Sequence, residues 1–373
     1  MRLARLCAMA RKEAIQLRRD PRSLGLAFVL PALMLLFFGY AISFDVRDIR
    51  MAVLDESQSQ DSRGLVQAFQ ASGYFDHAVT LTSYAEVDDV LGSGRARLVL
   101  IIPPDFHRNL AARRPAPIQI LLDGGDANTA TIAQNYAEAI VTKYTVDALA
   151  ARTGSRLVLP VIAETRVWYN ETLESRNMIV PGLVAVIMSI IAALLTALTI
   201  AREWERGTME QLAATPVHRL EVVLGKLLPY VAIGLLDVVA ALLVGVTVFG
   251  VPFRGNILLL AVLTLLFLVG ALGLGMFISA AVKTQVLATQ VAMLVTYMPA
   301  LLLSGFIFTI ATMPIVLRAV TYVVPARYYV TVTRGVLLKG VGPDVLWPQA
   351  IAMVLFTIVG LGLAIRVFKK EIG

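Results

Sequence analysis

Ionisable side chains are scarce in this chain. Asp, Glu, Lys and Arg make up 16% of its 373 residues, against 58% hydrophobic residues and a mean hydropathy of +0.75. An ordinary soluble domain is about a quarter charged, so one soluble domain is excluded and most of the chain is solvated by lipid. Cysteine is nearly absent: Cys7 stands alone, which excludes an intrachain disulfide and leaves the compartment open. Histidine is sparse too. His77, His107 and His218 are scattered with no metal-binding spacing. There is no Gly-x-x-x-x-Gly-Lys-Ser/Thr loop to cradle nucleotide phosphates and no Gly-x-Ser-x-Gly elbow. No catalytic and no metal-ligating residue is therefore predicted, and ATP-driven work would need a partner. The net charge of +7 is not gathered into a basic stripe with interleaved aromatics, which argues against nucleic acid. No internal repeat of the kind common in secondary transporters is visible either.

What charge there is crowds between Asp45 and Arg176 and thins from Met178 onward, so a polar domain interrupts a membrane domain. A helix needs about 20 apolar residues to span a bilayer. Six runs meet that length: Leu24 to Phe44, Met178 to Ala201, Leu227 to Val251, Ile257 to Ala281, Val286 to Phe308, and Trp347 to Ile365. The first lacks a small-residue cleavage site and is expected to stay as a signal anchor. Kinks are expected at Pro31, Pro181, Pro229 and Pro299. Lys and Arg cluster before the first run, after the last, and between the second and third, which predicts cytoplasmic termini. The region 45–176 then lies outside, as does Thr309 to Leu346, where Arg318, Arg327, Arg334 and Lys339 run against the charge rule. The fold class expected is an α-helical polytopic membrane protein with six transmembrane helices and an inserted extracytoplasmic α/β domain.

Residues 1–22 repeat Leu3, Leu6, Ala10, Ala14 and Leu17 at helical spacing among arginines, the pattern of a helix lying in the interface plane. Residues 23–44 are the first span. In 45–176 the expected strands are Ile49 to Asp55, Ala96 to Pro103, Pro117 to Asp123 and Leu157 to Trp168. The expected helices there are Ser62 to Ser72, Tyr84 to Leu91, Pro104 to Arg113 and Ala127 to Arg152. The Asp123-Gly-Gly-Asp126-x-Asn128 cluster lacks the terminal Glu and the spacing of a calcium loop, so Asp126 reads as a helix cap. Residues 177–373 hold the remaining spans, with short helices expected at the outer surface within 309–345. Asp237 lies mid-span, where an acid either lines a water-filled path or is a structural group between helices. Gln290 and Tyr297 make the fifth span polar and are candidates for the same path, with interhelical packing as the plainer explanation. The cytoplasmic segment 202–216 reads as a charged helix broken at Gly207 and stopped at Pro216. It could transmit force from a soluble partner or be a solvated loop.

At Arg202-Glu-Trp-Glu-Arg-Gly-Thr-Met-Glu210 the chain resembles the permeases of the ABC-2 exporter family, in particular bacterial drug-efflux permeases with a large outer domain between the first two spans. The resemblance extends to Arg19-Asp-Pro-Arg-Ser, Met178-Ile-Val-Pro-Gly182, Leu303-Ser-Gly-Phe-Ile-Phe308 and Val324-Pro-Ala-Arg-Tyr328. It implies the permease subunit of an exporter without an ATPase of its own, in the bacterial inner membrane. A second permease subunit would lie alongside it, as homodimer or related paralogue, and ATP with Mg would bind the cytoplasmic ATPase partners. A periplasmic adaptor accompanies some relatives. The substrate implied is amphipathic, a drug, lipid or cation, moved by alternating access. The resemblance makes the Glu203 to Leu212 region a coupling helix, with Glu203, Glu205, Gly207, Thr208, Glu210 and Leu212 at the ATPase contact. It also makes the N-terminal segment a connecting helix and 309–345 re-entrant elements. The three glutamates are expected to face a basic partner groove while adding little to this subunit's own fold. The alternative reading is a membrane-anchored receptor or signalling protein acting through 45–176.

Overall fold

A computed structural model describes residues 3–42, 48–153, 168–171, 174–209, 215, 217–282 and 284–368. The chain divides into two units, Met1–Ser43 with Arg166–Gly373, and Phe44–Thr165. The first unit begins with α1 (Leu3–Arg18). A continuous helix α2 follows, made of Pro21–Leu24, a π turn Gly25–Val29, and Leu30–Ala41.

The second unit is an α/β module: β1 (Ile49–Asp55), α3 (Gln60–Ala71), β2 (Phe75–Thr80), α4 (Val87–Gly92), β3 (Leu98–Ile102), α5 (Phe106–Ala111), β4 (Gln119–Leu122) and α6 (Ala127–Thr153). The sheet order is β2-β1-β3-β4, with β1 parallel to β2 and β3, and β4 antiparallel to β3. Continuous apolar strands such as β3 are buried on both faces. Met51, Val53, Leu98 and Leu100 pack with Phe69 and Ala133, while Ala52, Leu54, Val99 and Ile101 pack with Val87 and Val90 on the other side. Ser59 and Ser62 cap α3 reciprocally. Asp126 accepts from the Asn128 N–H at 3.2 Å at the start of α6, as a cap should, and the Thr129 hydroxyl bond holds its carboxyl below the usual range.

Strand β1 has the bounds read from the sequence, and β3 and β4 are shorter than expected. Strand β2 was not anticipated: Phe-Asp-His-Ala-Val-Thr is a half-exposed edge with little apolar alternation. The expected strand Leu157 to Trp168 lies outside the described residues apart from Trp168, which is in no strand. Because each face of the sheet has its own apolar layer, the segment 44–165 expressed alone should be soluble, with a mixed α/β circular-dichroism spectrum. Phe69→Ala should remove about 3–5 kcal/mol from the roughly 5–15 kcal/mol of a small domain, so its urea midpoint should fall by about a fifth or more.

After the second unit come α7 (Ser175–Glu205), α8 (Arg219–Thr247), α9 (Ile257–Val282), α10 (Gln285–Leu302, with a π turn at Met293–Tyr297), α11 (Ile315–Thr321), α12 (Pro325–Arg334) and α13 (Pro343–Val367). Five of these, α7 to α10 and α13, are long and apolar enough to cross a membrane. The apolar helix in the first run, Gly25–Ala41, is shorter. The chain is thus mostly helical, with several apolar helices. The π turns of α2 and α10 end two residues before a proline, Pro31 and Pro299. Proline clashes with the carbonyl four residues back, and a widened turn accommodates that without breaking the helix.

Helix α7 is buried for nearly its whole described length and packs against α2, α8, α9, α10 and α12. Helices α9 and α13 meet through glycine: a Cβ on Gly360 would lie 2.6 Å from the Gly270 carbonyl oxygen, and one on Gly273 2.9 Å from the Gly360 carbonyl carbon. Such close approach is how small residues hold membrane helices together.

The short helices of 309–345 do not all lie at a surface. Helix α12 packs on α7, α9 and α13, with Tyr329 fully buried, stacked on Phe267 at 4.2 Å and bonded to the Thr264 hydroxyl at 2.8 Å. The four cations that run against the charge rule are engaged locally. Arg334 donates to the carbonyls of Met178, Gly305 and Phe306 at 3.1, 2.9 and 3.1 Å. Arg318 donates to those of Ala311 and Met313. Arg327 stacks on Tyr322 at 3.9 Å, and the Lys339 ammonium stands 6.0 Å from the Tyr169 ring.

Candidate functional site

The chemistry of the first unit concentrates where α1, α7 and α8 meet. The face of α1 that packs on α8 carries Leu6, Met9, Glu13 and Leu17, spaced by three and four residues, so one acid sits in an apolar stripe. The two helices approach closely: a Cβ on Gly225 would lie 2.6 Å from the Met9 Cβ. Lys226, next in the chain, is 1% exposed.

Its ammonium donates to Glu13 Oε2 at 2.9 Å and to Glu203 Oε1 at 3.1 Å. Glu203 also receives the Lys12 ammonium at 3.0 Å and the Thr208 hydroxyl. The Tyr230 hydroxyl donates to the second oxygen of Glu13 at 3.0 Å. Two carboxylates thus meet two ammonium groups, and the cluster is neutral. Alongside it Arg202 pairs with Asp20 at 2.9 Å, joining the end of α7 to the corner between α1 and α2. Glu205 accepts the Gln285 N–H at 2.7 Å and the Gln285 side-chain amide, which satisfies a free donor at the start of α10. Gly207 closes α7 at φ +68°, a conformation that favours glycine. The last turn of α7 therefore holds α1, α8 and the start of α10 together.

This corrects one expectation. Glu203 is 4% exposed and committed to two lysines, so it contributes to the subunit's own fold and does not present a free charge. Glu203 and Glu205 also belong to the end of the second long apolar helix, since α7 runs to Glu205 before the turn at Gly207. Glu205 is exposed although hydrogen-bonded, Thr208 is half-buried against Glu203, and Glu210 and Leu212 lie outside the described residues. Sequence reasoning missed Glu13 and counted Lys226 only as an orientation charge. The available signal was that Glu13 is the only acid in α1 and stands four residues from Met9 and from Leu17 on its apolar stripe.

The candidate path residues do not share an environment. Asp237 is 2% exposed, and its Oδ2 has no hydrogen-bond partner among the described residues. Gln290 is exposed and Tyr297 half-buried, both on α10. Among the described residues no group of three or more His, Cys, Asp or Glu could hold a metal ion.

The family described as ABC-2 family transporter protein matches residues 21–366. A relative in Escherichia coli K12 named "Probable multidrug ABC transporter permease YbhS" is 38% identical over 370 residues, covering 99% of this chain and 97% of its own. A second from that strain, "Probable multidrug ABC transporter permease YbhR", is 29% identical over 371 residues, 99% of each chain. A third, "Inner membrane transport permease YhhJ", is 27% identical over 331 residues, 87% of this chain and 86% of its own. The chain belongs to the ABC-2 transporter family. It is the membrane-spanning permease subunit of an ABC exporter, and the ATPase that drives it is a separate subunit.

Removing one member of a buried ion pair leaves an uncompensated charge, at about 3–5 kcal/mol. Lys226→Met should therefore lower the thermal unfolding temperature of the detergent-solubilised permease sharply. Adding Glu13→Gln, which removes the stranded charge, should recover part of the loss. An unchanged melting curve for Lys226→Met would show that the cluster does not hold α1 on α8.

Proposed function

We propose that this permease exports an amphipathic substrate such as a drug, lipid or cation by alternating access, with ATP and Mg bound by the partner ATPase docked at 202–216. The observation that carries this reading is the ionic foot of α7. The turn at Gly207 adjoins a cluster tied to α1 and α8 and a cap tied to α10, so a force applied there reaches four helices at once. In this reading Glu205, Gly207, Thr208, Glu210 and Leu212 form the docking contact, and Glu203 transmits it inward.

The arrangement proposed has six spans, α2 being the first, with both termini in the cytoplasm of a bacterial cell and the α/β unit outside. Two permease subunits, alike or paralogous, pair side by side, and an adaptor on the outer side is a further candidate partner. The local engagement of Arg318, Arg327, Arg334 and Lys339 supports this orientation, since those side chains are spent on carbonyls and rings. A receptor acting through 45–176 is disfavoured, because the family match runs through the apolar helices as well.

The exposed apolar face of α10, with Val286 and Leu294 each 68% exposed, suits the second subunit, and Gln290 on the same helix suits the path between the two. Asp237, closed inside one subunit, is then a structural group. Cysteine introduced at 290 should react with a water-soluble maleimide and cysteine at 237 should not, in both the nucleotide-free and ATP-bound complex. Reaction at 237 in either state would return Asp237 to the path.

Docking is tested by Glu205→Lys with Glu210→Lys, leaving the buried Glu203 in place. Recovery of the ATPase with the permease should fall at least about tenfold, equivalent to ~1.4 kcal/mol, while the permease itself stays monodisperse. Wild-type recovery and transport would move the docking contact elsewhere.

A further inference from the structure

Between α1, the start of α2 and the last turns of α7 lies a cavity of about 760 Å3. That is within the roughly 300–1,000 Å3 of small-molecule sites. Its lining has two characters. One is basic: Lys12, Arg19, Arg202 and Arg206 stand against a single acid, Asp20. Lys12 is balanced by Glu203, and Arg202 by Asp20. Arg19 and Arg206, both exposed, have no ion pair among the described residues, so two positive charges of the lining are left over. The other character is apolar, from Leu26 of α2 and Leu198 of α7, where both helices enter their apolar stretches.

We propose that this cavity holds the phosphate headgroup of an anionic phospholipid, with the upper part of an acyl chain against Leu26 and Leu198. A basic pocket between helices at the membrane boundary is suited to such a headgroup. A free phosphate would use the arginines and leave the apolar wall wet. The lipid joins Arg19, at the α1–α2 corner, to Arg206, just past the end of α7, and so braces the ionic foot from its open side. The inference rests on the proposed orientation, in which this end of the helices meets the cytoplasmic leaflet.

The test is native mass spectrometry of the full-length permease, released from mild detergent after incubation with dioleoyl-phosphatidylglycerol, dioleoyl-phosphatidylcholine or inorganic phosphate. Phosphatidylglycerol should be retained in preference to phosphatidylcholine. Retention should fall about fivefold for each of Arg19→Gln and Arg206→Gln, from about 1 kcal/mol per surface cation. Arg366→Gln, on a residue outside the cavity, should change nothing. Millimolar phosphate should not displace the lipid. Equal retention of both lipids, unchanged retention in the double arginine variant, displacement by phosphate alone, or loss of the lipid on adding the ATPase subunit would each overturn the proposal. Orientation is read separately in whole cells and inverted vesicles through Cys7, the single native cysteine, which is exposed. Failure of the lipid site is thereby distinguished from failure of the orientation.

Discussion

The ammonium of Lys226 cannot be buried alone. Moving such an ion out of water costs several kcal/mol even after the protein relaxes. Here the compensation comes from two chain segments remote in sequence, Glu13 and Glu203. Glu13 needs Lys226 in turn, because it is nearly as closed off as the lysine, whereas Glu203 shares Lys226 with Lys12. The cluster therefore admits one placement of α1 against α7 and α8. Buried ion pairs add little net stability compared with well-packed apolar groups, so we read this one as fixing geometry. A purely apolar α1 could slide or rotate on α8 and keep most of its contacts; an α1 bearing Glu13 cannot.

The other end of α7 is held by different chemistry. Arg334 places its guanidinium against the carbonyls of Met178, Gly305 and Phe306, joining the first turn of α7 to the loop after α10 and to α12. A Cβ on Gly182 would meet the Phe306 ring at 2.6 Å and the Arg334 guanidinium at 3.0 Å, so glycine is what lets that contact form. Between the two polar ends, α7 makes mostly apolar contacts along its buried length. Apolar contacts tolerate small sliding, whereas oriented hydrogen bonds do not. A helix pinned by polar contacts at both ends is suited to the force-transmitting role proposed for it.

The apolar runs were legible in the sequence because lipid solvation requires long unbroken hydrophobicity, and β1 was legible because its burial on both faces does the same over a few residues. The ion cluster was not. Sequence counts flanking charges without telling which of them are paired, so Lys226 looked like a topology signal and Glu203 like a free surface acid. Helix α12 is more enclosed than its composition suggests for a related reason: its tyrosines, threonines and arginines read as wet, yet Tyr329 satisfies its hydroxyl on Thr264 and stacks its ring on Phe267. Near Pro31 and Pro299, where kinks are expected, the helices carry π turns that end two residues before each proline.

These pairings also bear on how charge bias should be weighed. The rule that cytoplasmic flanks are rich in Lys and Arg concerns short segments near the ends of spans, and by simple count the four cations of 309–345 contradict the orientation given by the other flanks. Counting takes every cation as equal. Arg334 donates to three carbonyls, Arg318 to two, and Arg327 lies on an aromatic face and donates to the Thr321 hydroxyl. Arg19 and Arg206, by contrast, have no ion pair among the described residues. A cation whose donors are committed to carbonyls or rings has fewer left for anionic headgroups than one without such partners. Weighted by engagement, the surplus lies at the foot of α7 and α1, the end that the proposed orientation assigns to the cytoplasm.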